Sequence, residues 1–232
     1  MDKKNFLLAW SITMLLSLSV INNTALADCD DKSQPGMDWS GCKKTNKMLD
    51  NKNFSGSKLD NANLSSSKLD NSNFTGASLF KTDLTRVSAN HSIFSQANLT
   101  KSVGYRSSFR GATFSKTSMT KSEFSRANFE AANFENIDWS RAELGRVNFS
   151  NARLKDVNFE YSDLSRAIFN GAELTNVNFS GAYTYLTNFK NVDLSMVLQL
   201  SQAQLENACG NDKTQIPQGL EKPANWHLHC IE

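Results

Sequence analysis

A chain of 232 residues with a formal net charge of +2, 39% hydrophobic residues and only 3 Pro has the composition of one or two soluble globular domains, with nothing extreme in it. Its reactive inventory argues against an enzyme. The histidines are His91, His227 and His229, the four cysteines are most simply read as disulfides, and no nucleophile and base can be paired.

Residues 1–27 read as a cleaved signal peptide. Lys3 and Lys4 precede an apolar run from Phe6 to Val20, and Ala25-Leu26-Ala27 supplies an A-x-A cleavage site. The run is shorter than the ~20 residues that span a bilayer, which argues against an uncleaved anchor. Asp28, directly before Cys29, is charged and bulky where lipid attachment needs a small residue. Residues 28–46 are expected to form an N-terminal cap, with Pro35-Gly36 as a turn and Trp39 beside Gly41-Cys42 as a plug for the first coil.

An exported protein meets an oxidising compartment in which thiols pair. Four cysteines allow three connectivities. Cys29 and Cys42 precede the repeats described next and Cys209 and Cys230 follow them, which favours Cys29–Cys42 and Cys209–Cys230. A metal held by His227, His229 and Cys230 is the alternative for the tail, but their spacing matches no zinc pattern.

From Leu49 to Leu194 every fifth residue is a centre: 27 of these 30 positions are Leu, Phe, Met or Trp, the exceptions being Ala89, Gly104 and Thr184. Two residues before each centre, from Ser57 to Val192, all 28 positions are Ala, Ser, Thr, Val or Ile. A period of five fits neither a helix nor a straight strand. It fits a strand that keeps turning, with inward sites alternately two and three residues apart and a polygonal cross-section. Each coil then hydrogen-bonds the coils above and below it.

The residue two after each centre sits at an outward corner. Lys81, Lys101, Lys121 and Arg141 form one series with a step of twenty, and Arg86, Arg106, Arg126, Arg146 and Arg166 form another; Tyr161 is the odd member. Inside, Phe54, Phe74, Phe94, Phe114 and Phe134 share one column and Phe109, Phe129, Phe149, Phe169 and Phe189 another. Twenty residues per coil means four sides, over residues 47–198.

Runs such as Ala62-Asn63-Leu64-Ser65-Ser66, Ala97-Asn98-Leu99-Thr100-Lys101 and Ala127-Asn128-Phe129-Glu130-Ala131 resemble the A(D/N)LXX unit of the pentapeptide-repeat family. The resemblance implies an all-β fold, a right-handed quadrilateral parallel β-helix of seven to eight coils with short caps, and no single function. Some members of that family act by imitating DNA, which needs a strongly acidic surface; this chain is near neutral with basic ladders and carries an export signal. Residues 199–232 are expected to form a C-terminal cap with a short helix over 200–208, and their tail resembles that of other bacterial members.

Gly56, Gly76, Gly111, Gly171 and Gly181 share the corner slot, so they read as turn glycines rather than a phosphate loop. Asp83, Glu123, Glu143 and Asp163 stack just before their centres and are expected to neutralise part of the basic ladder. Gly104 and Thr184 lie in one column, which is expected to be under-filled or bulged there: of Val103, Tyr105, Tyr183, Tyr185 and Leu186, some either fold inward as local repacking without a function or stand exposed, in which case Tyr105 and Tyr185 mark a sticky patch. The candidate binding surface is therefore the nine ladder cations with these two tyrosines, and no catalytic, cofactor or metal site is expected. The expected product is a periplasmic or secreted bacterial scaffold, without a stable membrane anchor after cleavage, that binds a protein or an anionic envelope component and not nucleic acid. The alternative is a purely structural role in the envelope.

Overall fold

Each corner of the coil is a turn whose third residue has positive φ. In the computed structural model, which describes residues 27–224 and Trp226, every fifth residue from Gly36 to Asn191 lies in the left-handed region, with φ between 53° and 71°. Most corners close with a hydrogen bond from the next small inward residue to the preceding centre, as from Ser57 N to Phe54 O at 3.1 Å and from Ala62 N to Leu59 O at 2.9 Å. The Asp or Asn before many centres accepts the backbone N–H two residues on: Asn63 Oδ1 from Ser65 N at 2.9 Å, Asn73 Oδ1 from Thr75 N at 2.9 Å, Asp138 Oδ1 from Ser140 N at 2.9 Å. A short side-chain acceptor there stabilises the turn.

Asp138 gives this cap a pH signature. Burial pushes its carboxyl up, but hydrogen bonds from the backbone and side chain of Ser140, from Thr120 and from Asn158 outweigh it and hold the carboxyl below the usual range. A depressed folded value stabilises the protein above the unfolded value of about 3.9 and loses that contribution as pH falls through the folded value. Asp138→Asn is expected to flatten the loss of stability below about pH 4; denaturant melts across pH 2–6 check this, and an unchanged acid limb would contradict it.

Parallel bridges tie each coil to the next, from Asp38↔Lys58 through Asn98↔Ser118 to Asn178↔Leu198, each pair one coil apart. At one corner column the pairing between coils runs on through the corner, where Asn136 and Asp156 keep φ of 55°, and regular strands form: β1 Thr113–Ser115, β2 Asn133–Asp138, β3 Arg153–Asn158 and β4 Glu173–Thr175. They make a parallel sheet in the order β1-β2-β3-β4, with Phe114, Phe134, Leu154 and Leu174 in register. The whole is a right-handed quadrilateral parallel β-helix.

Phe54, Phe74, Phe94 and Phe114 stack ring over ring at 4.8, 4.7 and 5.0 Å, which gives the rise per coil directly. The Phe109 to Phe189 column stacks beside it and meets it edge to face, as between Phe94 and Phe109 at 73°. Each buried Phe contributes on the order of 1.5–3 kcal/mol. Trp139, fully buried among these rings, has an Nε1 with no hydrogen-bond partner among the described residues. Trp139→Phe removes ring area but also an orphaned donor that costs ~1–3 kcal/mol. Denaturant titration should therefore place it within about 1 kcal/mol of the parent, whereas a loss near the ~3–5 kcal/mol of a Trp→Ala change would contradict the orphan.

The two interruptions of the centre column are filled differently. A Cβ at Gly104 would lie 2.2 Å from the Phe124 ring, so Phe124 of the next coil occupies the space that a side chain would take. Thr184 is buried and its hydroxyl donates to Gln204 O at 2.9 Å. The column is thus continuous, against the expected under-filling.

The first coil begins at Asp38, inside the segment expected to be the N-terminal cap, because Trp39 occupies a centre and its N–H donates to Lys58 O at 2.8 Å. Trp39 stacks obliquely on Phe54 at 5.9 Å, its Nε1 donates to Asp31 O at 3.2 Å and Lys44 Nζ sits 4.0 Å over its ring. The Cys29–Cys42 disulfide, with Cα atoms 5.5 Å apart, pins the preceding segment to this coil. At the other end, α1 Gln202–Glu206 is shorter than the expected span and carries a capping box between Ser201 and Gln204. Trp226 plugs this end: it is buried, its Nε1 donates to Leu205 O at 2.9 Å, and its ring packs onto Gly210, where a Cβ would be 2.3 Å away. Cys209 is disulfide-bonded; its expected partner Cys230, with His227, His229 and residues 1–26 of the expected signal peptide 1–27, lies outside the described residues.

Candidate binding face between two basic rails

One side of the rod has the centres Leu64, Leu84, Gly104, Phe124, Leu144, Leu164 and Thr184. The corner before it carries Lys81, Lys101, Lys121 and Arg141, and the corner after it carries Arg86, Arg106, Arg126, Arg146 and Arg166. All nine are exposed, with φ between 56° and 62°. The sequence series thus become two parallel rails edging one flat face. At ~4.8 Å per coil, the arginine rail runs for about 19 Å.

Between the rails runs the column Asp83, Val103, Glu123, Glu143, Asp163 and Tyr183, each bridged to the next. These carboxylates do not neutralise the rails as expected. The ion pairs within 4 Å among the described residues are Lys58–Asp38, Arg110–Glu130, Arg153–Glu173 and Lys155–Glu135, all on other faces. Asp83 and Asp163 are instead turned onto their own coil, accepting from Thr85 N at 2.9 Å and Ser165 N at 2.8 Å. Among the described residues, no rail side chain donates a hydrogen bond to the protein, so the hydrogen-bonding capacity of all nine is turned to solvent.

Aromatic rings brace the rails from beneath. Arg106 and Arg126 lie 5.2 and 6.0 Å over the Tyr105 ring, and Lys81 and Lys101 lie 5.3 and 5.8 Å over Phe80. Tyr105 is therefore half-buried support for two arginines rather than an exposed sticky residue. Sequence reasoning missed Phe80; an aromatic residue immediately before a basic corner was the available signal. Tyr185 is 43% exposed and Tyr183 57% exposed, and their rings lie parallel at 6.1 Å. Tyr161, 60% exposed, takes the next slot of the lysine rail and leans over Gly181, where a Cβ would be 2.5 Å from the ring. The C-terminal end of the face is aromatic where the rest is charged.

A groove on another side, lined by Asp70, Asn90, His91, Arg110 and Glu130, is satisfied from within. Asp70 Oδ1 accepts from Ser88 Oγ at 2.7 Å and from Asn90 N at 2.6 Å, while Arg110 pairs with Glu130 at 3.2 Å. Among the described residues, no group of three or more His, Cys, Asp or Glu converges to hold a metal, and no helix is long and apolar enough to cross a membrane.

A family model for pentapeptide repeats, in 8 copies, matches residues 49–86, 82–120, 122–160 and 152–195. Among solved structures, the chain is similar to a trypsin-treated point variant of QnrB1, a plasmid-mediated fluoroquinolone resistance protein. The identity is 17% and the TM-score 0.63, over 81% of this chain and 93% of that one. A second trypsin-treated QnrB1 variant gives 16% identity and a TM-score of 0.57 over the same shares. At these identities the likeness is one of fold. No curated protein sequence matches the chain significantly.

Proposed function

Since the chain belongs to the pentapeptide-repeat family, we propose that it is a non-catalytic, exported scaffold whose two-railed face binds an anionic partner outside the cytoplasm. The observation that carries this reading is the set of nine exposed rail cations with no carboxylate within 4 Å among the described residues. Like charges at ~4.8 Å spacing repel one another, and an anionic ligand relieves that repulsion along the whole length of the rails. The signal-like pattern of residues 1–27 and the Cys29–Cys42 bond support export to an oxidising compartment.

The test uses the mature protein and dextran sulfate. Binding at 0.1 M NaCl should weaken steeply toward 1 M as the Debye length shrinks from ~10 to ~3 Å, and Arg106→Glu with Arg126→Glu and Arg146→Glu should abolish it. Unchanged binding by that triple variant would leave the rails as a solubilising surface only. For export, the protein recovered outside the cytoplasm should begin at Asp28; an intact N-terminus would contradict it.

A further inference from the structure

We infer that the two-railed face takes a linear acidic oligosaccharide laid along the rod axis, about one sugar ring per coil. This rests on the reading above and names its ligand class. Three features of the face select that occupant. The first is its one-dimensional period: cations recur at the coil rise, seen directly as the 4.7–5.0 Å spacing of the stacked Phe54 to Phe114 rings. A linked hexose ring advances by about 5 Å, close to the ~4.8 Å spacing of stacked strands, so an acidic glycan stays in register with both rails over several units.

The second feature is that the face is not uniformly positive. Glu123 and Glu143 stand exposed between the rails. An anionic bilayer would meet those carboxylates with like charge across a desolvated contact, which is costly. A sugar chain answers both partners: its acidic groups accept from the rail cations while its hydroxyls donate to the carboxylates. The third feature is the aromatic end. Tyr183 and Tyr185 present parallel exposed rings at 6.1 Å, beside Arg166 and Asp163. Aromatic faces of this kind pack against the C–H faces of sugar rings while the hydroxyls keep hydrogen-bonding partners.

The test uses the mature protein in titration calorimetry at fixed salt. The probes are oligogalacturonates of two to eight rings, hyaluronate oligomers of equal length with a carboxylate on alternate rings only, and phosphatidylglycerol vesicles. Affinity should rise more than about tenfold from two to five galacturonate rings and then level off. The hyaluronate oligomer should bind at least about tenfold more weakly. Tyr183→Ala with Tyr185→Ala should weaken the long oligogalacturonate about tenfold without altering the salt dependence. Circular dichroism and thermal melts identify any variant that has lost its fold, and the parent's length series decides the question without any variant. Affinity independent of length, equal affinity for the two sugars, or binding to vesicles alone would overturn the oligosaccharide while leaving an anion-binding face. Failure of every anionic probe, dextran sulfate included, would overturn that face as well.

Discussion

Gly104→Leu, which restores the residue that the repeat favours at a centre, is expected to destabilise the protein by about 1–3 kcal/mol. The repeat pattern alone points the other way, since leucine fills a missing centre and removes glycine's conformational freedom. Phe124 reverses the sign. Its ring stands 2.2 Å from where the Gly104 Cβ would be, so a side chain there collides with a ring already packed against Phe109 and Phe129 at 5.7 and 5.8 Å. Phe124→Ala alone opens a cavity beside Gly104 and should cost ~3–5 kcal/mol. Combining Gly104→Leu with Phe124→Leu should recover most of the loss, because the pair shares one volume and couples non-additively. Denaturant midpoints of the three variants check this. A more stable Gly104→Leu would show that Phe124 does not occupy the gap.

Asparagine placed on the arginine rail should separate stability from binding. Arg86, Arg146 and Arg166 hold φ of 56°, 60° and 58°, a region that costs most residues ~1–2 kcal/mol and asparagine less. Arg86→Asn, Arg146→Asn and Arg166→Asn should each stabilise the fold by about 0.4–1 kcal/mol. Arg106→Asn and Arg126→Asn should come out near neutral, because each also gives up a contact with the Tyr105 ring worth ~0.5–1 kcal/mol. The stabilised triple variant should still bind dextran sulfate at least about a hundredfold more weakly than the parent, a loss of ~2.7 kcal/mol. Thermal melts and titrations on the same samples test both halves. A triple variant that is less stable than the parent would refute the strain argument, and one that binds as well would refute the rail.

Much of this architecture is legible from single positions. The inward pair in each repeat, the four sides and the two rails all follow from which residue types recur at steps of five and twenty. The corner glycines at Gly56, Gly76 and Gly111 mark a backbone that Arg86 and Lys101 must also adopt, at φ of 56° and 58°. What escaped the sequence depends on contacts between coils. The filling of Gly104 by Phe124 depends on the direction in which a ring leans. The bracing by Tyr105 and Phe80 depends on how far a long cation reaches back over its neighbour. Asp83 and Asp163 share a face with the rails, yet each spends an oxygen on its own backbone, so proximity in the repeat did not become an ion pair. The C-terminal end resisted for another reason: Trp226 caps the rod by filling a unique space over Gly210, and periodicity says nothing about a space that occurs once, whereas Trp39 falls on a centre and could be read as a plug.

The central claim is that the rails bind by their arrangement and not by net charge. The most direct measurement compares two triple variants of equal net charge for affinity to dextran sulfate at one salt concentration. The first carries Arg86→Asn, Arg146→Asn and Arg166→Asn on the rail. The second carries Arg110→Asn, Arg153→Asn and Lys155→Asn, which remove cations already paired with Glu130, Glu173 and Glu135 on other faces. The account predicts that the first loses at least about a hundredfold in affinity while the second stays within about threefold of the parent. Equal losses in the two would contradict it.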